Sequence, residues 1–142
     1  MILVDTNVLL YATIDGMPQH DRARRWLSEQ FASPWQVGLP WHSLLGFVRL
    51  ASDRRILPLG PSVDEAWQAV RAWQSAPNAW TPLPTERHAT VLNEMFSTMK
   101  IATREVMDVH LAALAVEHGL TLCSADTGFG RYRNLRWFNP LE

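Results

Sequence analysis

The chain opens on Met1-Ile2-Leu3-Val4 and breaks at once into Asp5-Thr6-Asn7. An apolar run this short reads as a buried strand, and the aspartate falls where that strand ends. A second run, Leu120 to Ser124, is followed within two residues by Asp126-Thr127-Gly128. Most of the chain between the two carries helical periodicity. Short buried strands alternating with helices predict an α/β fold with a mainly parallel sheet. Helices outweigh strands, so the sheet is expected to be small and covered on both faces.

The pass along the chain fills in that frame. Strands are predicted at Ile2 to Val4, Gln36 to Leu39, Ala79 to Leu83, Leu120 to Ser124 and Leu135 to Phe138. Helices are predicted at Asn7 to Thr13, Gln19 to Phe31, Ser43 to Ala51, a segment after Ser62, Thr85 to Met99, and Val106 to His118. Ser62 with Glu65 three residues on is a capping-box pattern. Gly119 is the expected stop of the Ala-rich helix. Asp15-Gly16-Met17-Pro18 is a turn. No repeat or long linker divides the 142 residues, so one domain over residues 1–142 is expected.

Composition narrows the class. Hydrophobic residues make up 47% of the chain, and no stretch is long enough to span a bilayer. No signal peptide is visible. Cys123 is the only cysteine, which excludes an internal disulfide and fits a reducing, cytoplasmic setting without membrane attachment. Net charge is −1, yet every one of the 13 basic residues except Lys100 is arginine. Arginine's planar fork matches phosphate geometry. Clusters at Arg22, Arg24 and Arg25, at Arg49, Arg54 and Arg55, and at Arg131, Arg133 and Arg136 are either solvated surface or local phosphate contacts.

Three acids stand at comparable places. Asp5 follows the first strand, Asp126 follows Leu120 to Ser124, and Asp108 lies near the start of the helix that feeds that strand. Parallel strands share one carboxyl edge, so these acids can converge. Converging carboxylates repel unless a counter-charge is present, and a hard divalent cation supplies one. Such an ion can activate water and stabilise charge on a phosphodiester. Each acid also has a local reading. Asp5 suits a helix cap, Asp126 a turn, and Asp108 the first turn of a helix.

The chain resembles the PIN-domain ribonucleases, and within them the VapC-type toxins of type II toxin–antitoxin systems. The resemblance rests on Met-Ile-Leu-Val-Asp-Thr-Asn-Val-Leu-Leu-Tyr-Ala at the start and on Leu39-Pro40-Trp41 with Leu44 to Ala51. It rests also on Asp108 to Ala115, and on Gly119 to Phe129 with Asn139-Pro140-Leu141. It implies a three-layer α/β/α sandwich and Mg²⁺-dependent cleavage of RNA, with Mn²⁺ as an alternative ion. Asp5 and Asp108 would be metal ligands and Asp126 a further catalytic acid. Asn7 and Ser124 would be supporting polar residues. A cognate antitoxin and a homodimer are the implied partners. No residue is singled out as RNA-binding.

The chain departs from the family at one position. A glutamate is usual three residues before the arginine that matches Arg49, and Gly46 stands there. The expected site therefore has three acids, with water or Ser43 near the vacancy. Glu105 is read as a surface acid and His110 as structural. No histidine spacing suggests zinc. Trp26, Trp67 and Trp73 are read as packing, Trp41 as a groove residue, and Arg49 as a buried partner of a carboxylate. Two other readings remain. One is a degenerate PIN domain that binds RNA or protein without cutting. The other is a phosphatase of a different α/β fold, which would want an aspartate where Asn7 stands.

Overall fold

The computed structural model describes residues 1–142. Strands β1 (Ile2–Val4), β2 (Val37–Gly38), β3 (Ala79–Trp80), β4 (Thr121–Cys123) and β5 (Arg136–Phe138) form one sheet in the order β3-β2-β1-β4-β5. All four pairings are parallel, so the sheet is wholly rather than mainly parallel. The helices are α1 (Thr6–Thr13), α2 (His20–Ala32), α3 (Trp41–Ala51), α4 (Val63–Gln74), α5 (His88–Thr98) and α6 (Val106–His118).

Alternation along the strands sorts these helices into two layers. Side chains of a strand point to opposite faces in turn. Val4 joins a core with Val8, Leu9, Leu27, Leu44, Phe47 and Val70, which covers one face with α1 to α4. Leu3 and Leu122 join a second core with Val91, Met95, Leu111 and Leu114, which covers the other face with α5 and α6. The result is the α/β/α sandwich. Helix α6 buries Leu111 through Ala115 without a break. A helix apolar on this many sides must be enclosed, and its alanines permit close approach to the sheet.

Local chemistry sets the boundaries. Ser62 and Glu65 form the reciprocal capping box at the start of α4, a device that contributes about 1 kcal/mol. Gly119 ends α6 with φ of 67°, a left-handed conformation that favours glycine, and Leu120 N–H then bonds Ala115 O at 2.8 Å. Helix α3 begins at Trp41 rather than Ser43, because Pro40 sits in extended geometry as its cap. Helix α5 begins at His88 rather than Thr85. Thr85 to Arg87 form a turn whose Thr85 N–H donates to Glu117 at 2.7 Å. Strands β2 and β3 keep only two paired residues each. Two short 3-10 helices, Thr103–Glu105 and Thr127–Arg131, were not expected from sequence; the second winds up what reads as a simple turn at Asp126. No helix is long and apolar enough to cross a membrane.

Among the tryptophans, Trp26, Trp67 and Trp73 pack against the α1–α4 core, as expected. Trp41 is exposed and stacks on Trp67 with centroids 6.4 Å apart. Arg49 differs from expectation. It lies exposed on the last turn of α3, and no buried carboxylate pairs with it. A helix whose opposite face is filled by Leu44, Phe47 and Ala51 turns that position to solvent. The single thiol, Cys123, is buried on β4, and burial pushes it up to about 12.

Candidate active site

The carboxyl ends of β1 and β4 lie side by side, with Val4 in register with Cys123. The chain leaves β1 at Asp5, whose N–H still donates to Cys123 O at 3.0 Å. Asp5 then caps α1, its Oδ1 accepting from Thr6 N–H at 2.7 Å. Its Oδ2 accepts from the Ser124 hydroxyl at 2.7 Å and from Asn7 Nδ2 at 3.2 Å. Asn7 Nδ2 also donates to Ser124 Oγ at 3.1 Å, while Asn7 Oδ1 accepts from Ala125 N–H at 3.1 Å. Asp126 N–H donates to Ser124 Oγ at 3.0 Å. Asp5, Asn7 and Ser124 are therefore brought together, and the network couples the ends of both strands. Asp5 is 9% exposed and Ser124 fully buried. Burial raises the pKa of Asp5, and the field of Asp126 adds to this. Bonds from Ser124 and Thr6 and the field of His42 act in the opposite direction.

Asp108 and Asp126 occupy a more open place. They line a cleft of about 380 Å³ with Glu105, Arg104, Arg131 and Tyr132. Asp126 caps the second 3-10 helix through Gly128 N–H at 2.8 Å, and Asp108 lies in the first turn of α6. Desolvation, then the fields of Asp5, Asp126 and Glu105, push Asp108 up to about 6. The local readings of the three acids hold: Asp5 and Asp126 are caps, and Asp108 stands in a first helical turn. The capping geometry that ties Asp5 and Asp126 to the backbone also aims them at one edge of the sheet. Glu105 is more than a surface acid: it forms an ion pair with Arg131 at 2.5 Å on the wall of this cleft.

Gly46 is also accounted for. A Cβ at that position would stand 2.7 Å from Thr6 Oγ1, and Thr6 Oγ1 donates to Ser43 O at 3.1 Å. The threonine after Asp5 fills the space where a side chain at residue 46 would begin. Ser43 lies one turn earlier on α3, fully buried, with its own hydroxyl unpartnered.

A group of histidines was not anticipated as a unit. His88 Nδ1 lies 2.7 Å from Glu117 Oε2, and His88 Nε2 lies 3.0 Å from His110 Nδ1. His110 meets the ring of His42 edge-on with centroids 5.8 Å apart. Burial, then the neighbouring histidines, hold His110 below the usual imidazole range. Burial lowers His42 as well, against the field of Asp5. Periodicity carries no trace of this chain, because its members come from three different helices.

The donor set of the site is made of hard oxygen atoms whose negative fields add. That chemistry fits a hard divalent cation, which takes one or two carboxylates and completes its shell with water and phosphate. No three His, Cys, Asp or Glu side chains close into a ready-made ligand cluster. The arrangement therefore suits a water-rich ion rather than a tightly caged one.

The sequence pattern of the PIN domain matches residues 2–135. The chain is 39% identical over 142 residues to ribonuclease VapC43 of Mycobacterium tuberculosis, covering 100% of this chain and 97% of that one. It is 40% identical over 140 residues to ribonuclease VapC37 of the same organism, covering 99% and 97%. Among solved structures, a toxin-antitoxin complex from Klebsiella pneumoniae aligns with a TM-score of 0.62 at 19% identity over 100% of this chain and 99% of that one. That last likeness speaks to the fold. The chain belongs to the PIN-domain family and, within it, to the VapC ribonucleases.

Proposed function

We propose that this protein is a metal-dependent endoribonuclease toxin that cuts RNA phosphodiesters and is neutralised by a cognate antitoxin. The observation that carries the reading is the placement of Asp5, Asp108 and Asp126 along one edge of the sheet, near enough for the fields of Asp5 and Asp126 to act on Asp108. There, desolvation first and then the fields of Asp5, Asp126 and Glu105 push Asp108 up to about 6. A site that strains against its own charge is built to receive a cation.

Asp5 and Asp108 would hold Mg²⁺ or Mn²⁺. When bound, such an ion lowers the pKa of a coordinated water and neutralises charge on the phosphodiester. Ser124 and Asn7 fix the rotamer of Asp5, so that its carboxylate cannot swing away. Asp126, with its backbone tied to Ser124, orients water at the cleft. Arg104 and Arg131 line the same cleft and suit the phosphate groups that flank the scissile bond. RNA selection then comes from local arginines and loops rather than from net charge. Relatives described as ribonucleases and a fold shared with a toxin bound to its antitoxin support the activity and the partner. A homodimer is part of the same proposal.

The alternative of a binding module without catalysis draws on Gly46, which leaves the site one acid short of the family pattern. Calorimetry with Mn²⁺ and an RNA cleavage assay separate the two. The nuclease reading expects millimolar or tighter ion binding, cleavage that stops with chelator, and products ending in 5′-phosphate and 3′-hydroxyl. Cleavage at the wild-type rate by Asp5→Asn would refute the assignment of the site. Absence of both binding and cleavage would favour the module.

A further inference from the structure

Helices α3 and α6 lie in opposite layers of the sandwich, yet His42 of α3 touches His110 of α6. The contact crosses the carboxyl edge of the sheet, where the acids stand. Each of the two histidines is tied to one of the proposed metal ligands. His110 follows Asp108 by two residues in the first half of α6. His42 precedes Ser43, whose carbonyl accepts from Thr6, the neighbour of Asp5.

The other end of the chain is anchored inside the fold. The Glu117 side chain is fully buried. Its Oε1 accepts from Thr85 N–H at 2.7 Å and its Oε2 meets His88 Nδ1 at 2.7 Å. A carboxylate only accepts, so His88 Nδ1 carries a proton. The 3.0 Å gap to His110 Nδ1 then carries one hydrogen bond, donated by His110 when His88 is neutral and by His88 when it is doubly protonated. One buried acid therefore orients His88, and through it the ring of His110. His88 and His110 also pack edge-on with centroids 4.9 Å apart, which holds the plane of the second ring.

We propose that Glu117, His88, His110 and His42 form a strut that ties the two helical layers across the carboxyl edge and sets the spacing between Asp5 and Asp108. The four are positioning residues. They act through the two acids, in the way that partners outside a metal's own ligands orient those ligands. The need for such a strut follows from the site itself. Its acids form no preassembled cluster, so the distance at which they share an ion depends on how α6 is held relative to α1 and α3.

The inference rests on the metal-dependent reading above, and the experiment keeps the two apart. Nitrogen-15 NMR on metal-free protein reads the tautomers without any ion. Wild-type protein is expected to show His88 protonated at Nδ1 and a hydrogen bond between His88 Nε2 and His110 Nδ1, and Glu117→Gln is expected to shift the ring-nitrogen resonances of both residues. Mn²⁺ calorimetry is then run on His42→Ala, Glu117→Gln and the double variant. Each single change is expected to weaken binding about 10- to 100-fold. The double variant is expected to be no weaker than the worse single one, because both break the same strut. KM for RNA is expected to stay within about twofold, because the strut touches no substrate. If Glu117→Gln does not fold, His88→Gln takes its place. A wild-type His88 without a proton at Nδ1, an unchanged ion affinity in either folded single variant, or additive losses in the double variant would overturn the strut. Wild-type protein that binds no Mn²⁺ would sink the metal reading and with it the purpose of the strut, while leaving the tautomer pattern intact.

Discussion

Asp5 and Asp108 are both carboxylates raised by burial, and they are held in opposite ways. Asp5 has protein donors on both oxygens, from Thr6, Ser124 and Asn7. Asp108 is partly exposed on the wall of a cleft, where desolvation and then its negative neighbours push it up to about 6. The first is part of the scaffold at the joint of β1 and β4. The second contributes charge and little else. The difference teaches that the proposed site combines a carboxylate fixed by hydrogen bonds with one left to solvent and to the fields of its neighbours. Substitutions in the two halves should therefore separate stability from activity.

The largest effect is expected at the open half. Asp108→Asn should lower the cleavage rate by about 10²- to 10³-fold, the scale seen when charge stabilisation at a reacting centre is lost. Its thermal midpoint at pH 7 without metal should be equal to or above that of the wild type. A clear drop in that midpoint would show that Asp108 belongs to the scaffold after all. Next is the locked half. Ser124→Ala strips a donor from Asp5 and an acceptor from Asp126 N–H. It should cost about 1–3 kcal/mol in urea unfolding, because buried groups are left unpaired. It should also slow cleavage about 10-fold or more. Loss of activity at unchanged stability would erase the contrast.

A third test addresses the vacancy. Gly46→Ala would bring its Cβ to 2.7 Å from Thr6 Oγ1. Overpacking of that kind costs about 1–3 kcal/mol, offset by about 1 kcal/mol of helix propensity. Adding Thr6→Ala should recover most of the net loss in thermal unfolding. The smallest effect is the pH dependence of the metal-free protein. Asp108 binds its proton up to about 6 when folded, against an ordinary value of 3.8. The folded state holds more protons than the unfolded state between those values, so stability falls as pH rises through the window and is level above it. Asp108→Asn should flatten that slope. The slope is modest because Asp108 is open to solvent.

How much of this was legible in the sequence depends on the range of the interaction concerned. Helix α6 could be read to the residue, because its limits are set locally by an apolar run and Gly119. The caps at Asp5 and Ser62 likewise involve neighbours a few residues away. Strands β2 and β3 were placed but overextended, since their length is decided by which partner residues reach them. The three acids could be named from their positions at strand and helix ends. Their unequal support could not, because Ser124 and Asn7 meet Asp5 only after the sheet has formed. Arg49 was misread for a related reason. Its place on a mostly apolar helix suggested burial, and only the rotation of α3 on its core decides which way that residue faces. The pairing of Gly46 with Thr6 and the histidine chain were illegible, because both are contacts between separate helices.

Cys123 carries a practical consequence. Enclosed on β4 with its thiolate form suppressed, it will resist alkylating reagents in the native protein. The chain is thus already a near-silent background for site-directed labelling. One new cysteine on an exposed turn of α3 and another on α6 would accept a donor–acceptor dye pair without removing the native thiol. The gap between the two layers could then be followed while ion, RNA or antitoxin is added.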